Sequence, residues 1–134
     1  MRPTGTVTFL FTDIEASTKM AQEYPQAMPA LLRRHDEILT QAIQAHGGHI
    51  FRNIGDAFCA AFSSATNAVR AAIHAQRLLY EEPWTPAPVK VRMGLHTGTV
   101  QLSGEQEYSG YTTLALCQRV MSAGHGGQVL LSAR

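Results

Sequence analysis

Residues 9–18 read FLFTDIEAST, an apolar run that stops abruptly at Asp13 and Glu15. Large apolar side chains alternate with threonines and a leucine before Asp13, and this pattern predicts a mostly buried strand over residues 5–12. An isolated charge is costly to bury, so a carboxylate at the end of such a strand indicates a chemical role or a nearby partner.

The segments on either side predict an alternation of helices and strands. Gly55-Asp56 has the composition of a two-residue hairpin turn, and Thr97-Gly98 predicts a further turn. The order β-α-β-β-α-β, followed by α-β, is that of a ferredoxin-like sheet with its helices on one face. The predicted elements beyond the first strand are a helix over 27–45, strands over 49–54 and 57–62, a helix over 65–79, a strand over 89–96, a helix over 112–123 and a strand over 129–131.

The composition restricts the class of protein. The chain has 134 residues, of which 45% are hydrophobic and 16% charged, and these values fit one globular domain over residues 1–134. The formal charge of +1, with acids and bases interspersed, argues against a nucleic-acid surface. We expect a cytoplasmic protein without a membrane span, because no apolar run reaches the ~20 residues that a span requires. Cys59 and Cys117 are predicted core thiols.

Asp13 and Asp56 are the candidate site residues that the pattern alone suggests. In a ferredoxin-like sheet the end of the first strand and the tip of the next hairpin lie side by side, so the two carboxylates could share one site. Two converging carboxylates repel each other unless a cation lies between them, and oxygen ligands select Mg²⁺ or Mn²⁺. Such a cation usually completes its shell with substrate phosphates. The alternative is that Asp13 caps the following helix and Asp56 is only a turn residue.

Four stretches in order carry a resemblance to a known family. TGTVTFLFTDIEAST, GGHIFRNIGDAFCAAF, VKVRMGLHTGTV and HGGQVLLS together resemble the catalytic domain of class III adenylate and guanylate cyclases. The resemblance implies an α+β fold with a ferredoxin-like βαββαβ core, and a homodimer with its active sites at the interface. It also implies the conversion of a nucleoside triphosphate to its 3′,5′-cyclic monophosphate and pyrophosphate.

The same resemblance assigns roles to individual residues. Asp13 and Asp56 match the two metal-binding aspartates, and the carbonyl of Ile14 matches a third ligand, which implies two Mg²⁺ or Mn²⁺ ions per site. The amide groups that open the next helix are implied to receive phosphate oxygens. These amides belong to Glu15, Ala16, Ser17 and Thr18, and Ala16 stands where the family commonly has glycine.

Three further positions depart from the family pattern. Arg52 stands where the family has a base-selecting lysine, and Glu107 stands where many adenylate cyclases have an aspartate that accepts from the adenine amino group. The helix near 112–123 commonly carries an asparagine that positions the ribose and an arginine that stabilises charge in the transition state. One register assigns these places to Ala115 and Arg119, and the other to Leu114 and Gln118. We prefer the register with Arg119, and either register loses the asparagine.

These departures leave several functions open. We expect a weak, metal-dependent cyclase that favours ATP over GTP. The alternative is a catalytically degenerate domain that binds nucleotide and acts as a regulatory or dimerisation module in a longer protein, and a third reading is a structural scaffold. The family continues past the last strand, so we expect this chain to lack the C-terminal strands of the family.

Overall fold

The computed structural model describes residues 3–103, 107–109 and 111–132. Its elements are β1 (Gly5–Ile14), α1 (Ser17–Glu23), α2 (Met28–Ala45), β2 (His49–Ile54), β3 (Ala57–Phe62), α3 (Ala65–Glu81), β4 (Val91–Ser103), β5 (Glu107–Ser109), α4 (Tyr111–Ser122) and β6 (Val129–Leu131). No helix in these ranges combines the length and apolarity that crossing a membrane requires.

The strands form a sheet in the order β2-β3-β1-β4-β5, and β6 pairs in parallel with β4 at residues 93–95. The pairs β2 with β3, β3 with β1 and β1 with β4 are antiparallel. The central part of this order, β2-β3-β1-β4, is the ferredoxin-like arrangement. The predicted α+β class with a βαββαβ core is therefore confirmed.

Local sequence explains where the long helices begin and end. Pro29 lies in the first turn of α2, where its missing N–H costs nothing, and Gly47 ends the helix with a φ of +77°. Ser64 caps α3, because its hydroxyl accepts from the amide of Asn67 at 3.2 Å. The ranges predicted for these two helices agree with the structure to within two residues at each end. The seven-residue helix α1 follows Glu15, where the family resemblance implies a helix, although the residue pattern alone did not predict it.

Two separate apolar cores lie on the two faces of the sheet, because successive side chains of a strand point in opposite directions. On one face α2 and α3 pack over Leu10 and Phe58. On the other face α4 packs over Phe9, and Cys59 and Cys117 are buried free thiols in this second core. Burial raises the pKa of the Cys59 thiol to about 11. The helices of the βαββαβ core share one face as predicted, and α4 covers the opposite one.

The predicted turn at Thr97-Gly98 is wrong, because β4 continues through it to Ser103. Thr97 pairs with Thr8 of β1, and Gly98 pairs with Val7. Gly98 is needed for close packing instead, since a Cβ atom there would lie 2.6 Å from the Thr113 side chain of α4. A glycine that accommodates a helix has the same local sequence signal as a glycine in a turn.

Gly94 is the second position at which α4 approaches β4 closely. A Cβ atom at Gly94 would lie 2.3 Å from the backbone nitrogen of Met121, and that backbone cannot move without displacing α4. We expect Gly94→Ala to lower the free energy of unfolding by about 1 to 3 kcal/mol, as overpacking of a core does. Urea unfolding followed by circular dichroism measures this change.

Thr99→Ala is the control for this substitution, because Thr99 is an exposed residue of the same strand. It should change the free energy of unfolding by less than about 0.5 kcal/mol. An unchanged urea midpoint for Gly94→Ala would contradict the close packing of α4 on β4.

Candidate functional site

The carboxylate of Asp13 makes a two-point ion pair with Arg92 on the neighbouring strand. The antiparallel register places Asp13 directly opposite Arg92. The Nε atom of Arg92 donates to Oδ1 at 2.8 Å and its Nη2 atom donates to Oδ2 at 2.6 Å. The side chain of Asp13 is 20% exposed and that of Arg92 is 29% exposed, so the pair lies at the edge of solvent. Arg92 therefore neutralises the charge that ends the first strand.

Further acids converge on this ion pair. The hairpin between β2 and β3 brings Asp56 to the end of β1, where its Oδ2 atom accepts from the amide of Ile14 at 3.2 Å. The pKa of Arg92 is raised first by its hydrogen bond to Asp13 and then by the charges of Asp13, Glu15 and Asp56. Three carboxylates and one guanidinium thus share one end of the sheet.

Glu15 links the end of β1 to two neighbouring segments. Its amide donates to the carbonyl of Lys90 at 2.8 Å, and its Oε1 atom accepts from the amide of Gly126 at 3.2 Å. A Cβ atom at Gly126 would lie 2.7 Å from Oε2 of Glu15 and 2.6 Å from Cβ of Lys90, so a glycine is required there. The amide of Glu15 is therefore already paired with a backbone carbonyl.

Ala16 adopts a backbone conformation that an alanine rarely takes. Its φ of +57° and ψ of +37° lie in the left-handed region, and it precedes α1 without a side-chain capping bond. Ser17 and Thr18 follow in the first turn, where amides have no partner within the helix. This turn thus presents backbone N–H groups beside the acidic cluster.

A bulge in β2 decides which way Arg52 points. The register of β2 with β3 shifts between Ile50 and Arg52, so that Arg52 pairs with Cys59. Without this shift, strand alternation would turn Arg52 to the face of α2 and α3. The shift places it on the same face of the sheet as Asp13. Its guanidinium is exposed and lies 6.0 Å from the centre of the Phe51 ring.

The remaining predicted site residues lie on α4 and β5. Arg119 is exposed in the last turn of α4, and it makes no ion pair with any residue in the described ranges. Leu114 packs into the apolar core beneath α4, whereas Ala115 is half-buried. The backbone of Glu107 lies in β5 opposite Ser103, and its side chain is outside the described part of the chain.

The donor set at the end of β1 fits a hard divalent cation. Asp13 and Asp56 offer carboxylate oxygens and Ile14 offers a carbonyl oxygen, which are ligand types that Mg²⁺ and Mn²⁺ prefer. No group of three or more His, Cys, Asp or Glu side chains in the described ranges is arranged to hold a metal ion. A cation here would therefore complete its shell with water or substrate oxygens, as Mg²⁺ usually does.

Sequence reasoning missed Arg92 and did not single out the buried His35. Arg92 is recognisable in the sequence as a charged residue inside an apolar strand pattern. Its partner, Asp13, could be identified only from the pairing of β4 with β1. His35 is fully buried in α2, with its ring against Phe58, and burial lowers its pKa although Asp36 lies 2.8 Å away.

Comparison with known proteins points to one family. The family model of the adenylate and guanylate cyclase catalytic domain matches residues 1–134. An uncharacterised protein of Mycobacterium tuberculosis is 42% identical over 133 residues, which cover 98% of this chain and 44% of that protein. The adenylate cyclase of Lachancea kluyveri is 29% identical over 156 residues, which cover 98% of this chain and 8% of that protein. The chain spans less than half the length of either relative.

Solved structures agree with this family. A Trypanosoma brucei adenylate cyclase, solved in its monomeric state, superposes with a TM-score of 0.89 at 25% identity, over 98% of this chain and 75% of that one. The guanylate cyclase domain of Catenaria anguillulae, solved in complex with GTP, gives a TM-score of 0.81 at 21% identity, over 96% and 78% of the two chains. The second similarity shows the shared fold alone.

Ala16 offers a direct test of the loop beside the acidic cluster. We expect Ala16→Gly to raise the free energy of unfolding by about 1 kcal/mol, because glycine adopts the left-handed conformation without a Cβ penalty. Urea unfolding measures the change. The control is Ala21→Gly in the interior of α1, which should lower it by about 1 kcal/mol. Destabilisation by both substitutions would contradict the left-handed geometry of Ala16.

Proposed function

Because the chain belongs to the adenylate and guanylate cyclase catalytic-domain family, we propose that it converts a nucleoside triphosphate to a 3′,5′-cyclic monophosphate and pyrophosphate. The observation that carries this proposal is the convergence of Asp13, Ile14 and Asp56 beside Arg92 at the end of β1. In the reaction the ribose 3′-oxygen bonds to the α-phosphorus while the bond from that phosphorus to the β-phosphate oxygen breaks. The hydroxyl proton is released, and pyrophosphate leaves.

Asp13, Asp56 and the Ile14 carbonyl would hold two Mg²⁺ or Mn²⁺ ions, which cyclase domains of this class generally use. Bound metal supplies two kinds of chemistry, a lower pKa for the ribose 3′-hydroxyl and neutralisation of phosphate charge. The carboxylates keep these charges at a fixed place on the sheet. The hydrogen bond from the Ile14 amide holds Asp56 against the end of β1.

Arg92 and the first turn of α1 would orient the triphosphate. Arg92 donates to both oxygens of Asp13. If Asp13 held a metal ion, Arg92 would be available to pair with a phosphate, whose oxygens its guanidinium fits equally well. The amides of Ala16, Ser17 and Thr18 add donors from the chain itself. Metal and nucleotide binding are therefore expected to favour each other.

Arg119 would act on the nucleotide of the other subunit in a homodimer. It is exposed and unpaired among the described residues, which suits a side chain that meets a ligand held by another subunit. Leu114 packs on the sheet, and this supports the register that pairs Arg119 with Ala115. Ala115 cannot orient a ribose by hydrogen bonding, so we expect turnover about 10²–10³ below that of a site with such a donor.

Arg52 and Glu107 would select the base. A guanidinium donates to purine nitrogens or carbonyls, and a glutamate can accept from the amino group of adenine. This pair of charges favours ATP over GTP. We further propose that the chain works in the cytoplasm, where nucleoside triphosphates are available, as one domain of a longer regulatory protein.

The alternative function is that of a nucleotide-binding module without turnover. The observation that favours it is Ala115, which stands where the preferred register expects the ribose-positioning asparagine. Such a module would still bind nucleotide through Asp13 and Asp56, and it would signal through dimerisation. Binding without product formation separates the two functions.

The first test is product analysis by mass spectrometry with ATP, GTP, CTP and UTP in Mn²⁺. We expect cyclic AMP as the main product, and no product after removal of the metal with a chelator. Asp13→Asn should lower the rate at least about 100-fold, because the site loses charge that holds the cation. Asp36→Asn is the matched control, since Asp36 lies on α2 and should leave the rate unchanged.

Two outcomes would contradict the cyclase function. No cyclic product in the presence of bound nucleotide would favour the binding module. A rate that is equal for Asp13→Asn and the unmodified chain would place the chemistry elsewhere or in a contaminant.

Mixed dimers test the proposed role of Arg119. Asp13→Asn and Arg119→Ala chains should each be nearly inactive, because each homodimer lacks one group in both sites. When equal amounts are mixed, about half of the dimers are mixed and each of these has one intact site, so about a quarter of the unmodified activity should return. Absence of any recovery, with dimers shown by analytical ultracentrifugation, would refute the contribution of Arg119 across the interface.

A further inference from the structure

A basic cavity lies between the end of α2 and the middle of α3, at the opposite end of β2 from the Asp56 hairpin. Its volume is about 390 Å³, and it is lined by His46, Arg70, Ile73, His74 and Arg77. Three of these residues, Arg70, His74 and Arg77, are spaced by four and three positions and share one face of α3. The end of α2 adds His46 from the other side. Four nitrogen-bearing side chains thus line one cavity that is widely open to solvent, and Arg70 and Arg77 are themselves exposed.

No ion pair within the described residues neutralises the positive charge of this cavity. No carboxylate is among the lining residues, and neither Arg70 nor Arg77 forms an ion pair with a residue in the described ranges. The last turn of α2 carries no acidic residue, and Glu81, the nearest acid along α3, makes no ion pair there. A site with two guanidiniums and no acid attracts an anion.

The two histidines of the cavity form a hydrogen bond with each other. The Nε2 atom of His46 and the Nδ1 atom of His74 are 3.2 Å apart, and the rings meet edge to face with centres 5.3 Å apart. When both imidazoles are neutral, one N–H donates to the lone pair of the other ring. When both are protonated, neither ring can accept, and the two charges repel each other unless an anion lies between them.

We propose that Arg70, Arg77, His46 and His74 form a binding site for a small tetrahedral oxyanion of the phosphate type. The guanidiniums pair with its oxygens, and the two protonated rings donate to it in place of their mutual hydrogen bond. Binding therefore takes up protons and becomes stronger as the pH falls. An occupied site also holds the end of α2 against α3. This site is independent of the nucleotide site.

Sulfate is the probe for the pH series, because it remains a dianion throughout. Histidine ring resonances are followed by NMR while sulfate is titrated at pH 6 and pH 8, with chloride at matched ionic strength as the reference. We expect saturable shifts of the His46 and His74 rings, with affinity about tenfold higher at pH 6. Inorganic phosphate and glycerol 3-phosphate at pH 8 then distinguish a free anion from a phosphate ester. Similar saturable shifts with both would show that the site binds the phosphate group itself.

Charge-removing variants test the residues. Arg70→Gln and Arg77→Gln should each weaken sulfate binding about tenfold, whereas Arg33→Gln, an exposed arginine of α2 outside the cavity, should change it less than twofold. His74→Gln should remove most of the pH dependence. The proposal would be overturned if sulfate gave only unsaturable shifts like those of chloride. It would also be overturned if Arg33→Gln weakened sulfate binding as much as Arg70→Gln and Arg77→Gln. The titrations contain no metal or nucleotide and are repeated on Asp13→Asn, so their outcome does not depend on the cyclase function.

Discussion

The pairing of β1 with β4 is the constraint on which the candidate site depends. The two strands run antiparallel from Gly5 opposite Val100 to Ile14 opposite Val91 without a break in register. This register places Asp13 opposite Arg92, and a shift by one residue would move every side chain of β1 to the other face. Both faces of β1 are buried under helices, so such a shift would disrupt the packing of both apolar cores. The position of Asp13 is therefore as firmly fixed as the core.

The end of β1 brings three acids and one base together. The charges of Asp13, Glu15 and Asp56 all raise the pKa of Arg92, and the ion pair satisfies both oxygens of Asp13. Arg92 thereby reduces the repulsion among the three carboxylates. Glu15 has a structural role as well, because its carboxylate accepts a hydrogen bond from the amide of Gly126 and so holds the turn before β6 against the end of β1.

Close packing of α4 on β4 explains why two positions of this strand require glycine. Gly94 and Gly98 lie on the same face of β4, and at both positions α4 occupies the space of a Cβ atom. The second core is consequently thin, and Cys117 fits in it with its thiol 3.6 Å from the carbonyl oxygens of Phe9 and Gly94. The position of Arg119 on the outer side of α4 follows from this packing.

Local patterns in the sequence predicted most of the elements, because periodicity, caps and turn residues act over a few positions. The Gly55-Asp56 hairpin agrees with the structure, since a glycine with positive φ is a local requirement. The interpretation of Thr97-Gly98 as a turn failed because the helix that demands Gly98 is distant in the sequence. The contact of His35 with Phe58 could not be predicted for a similar reason, since that ring belongs to another element.

The sequence by itself determined the order of the βαββαβ core, the candidate aspartates and the resemblance to a family, all of which depend on residue types at short or ordered spacings. Only the tertiary structure decided what each charge faces. The partner of Asp13 is Arg92, 79 positions away, and it is selected by strand register. The direction of Arg52 depends on a one-residue bulge, and the basic cavity arises where two helices meet. Such contacts join segments that are far apart in the chain, so no local pattern records them.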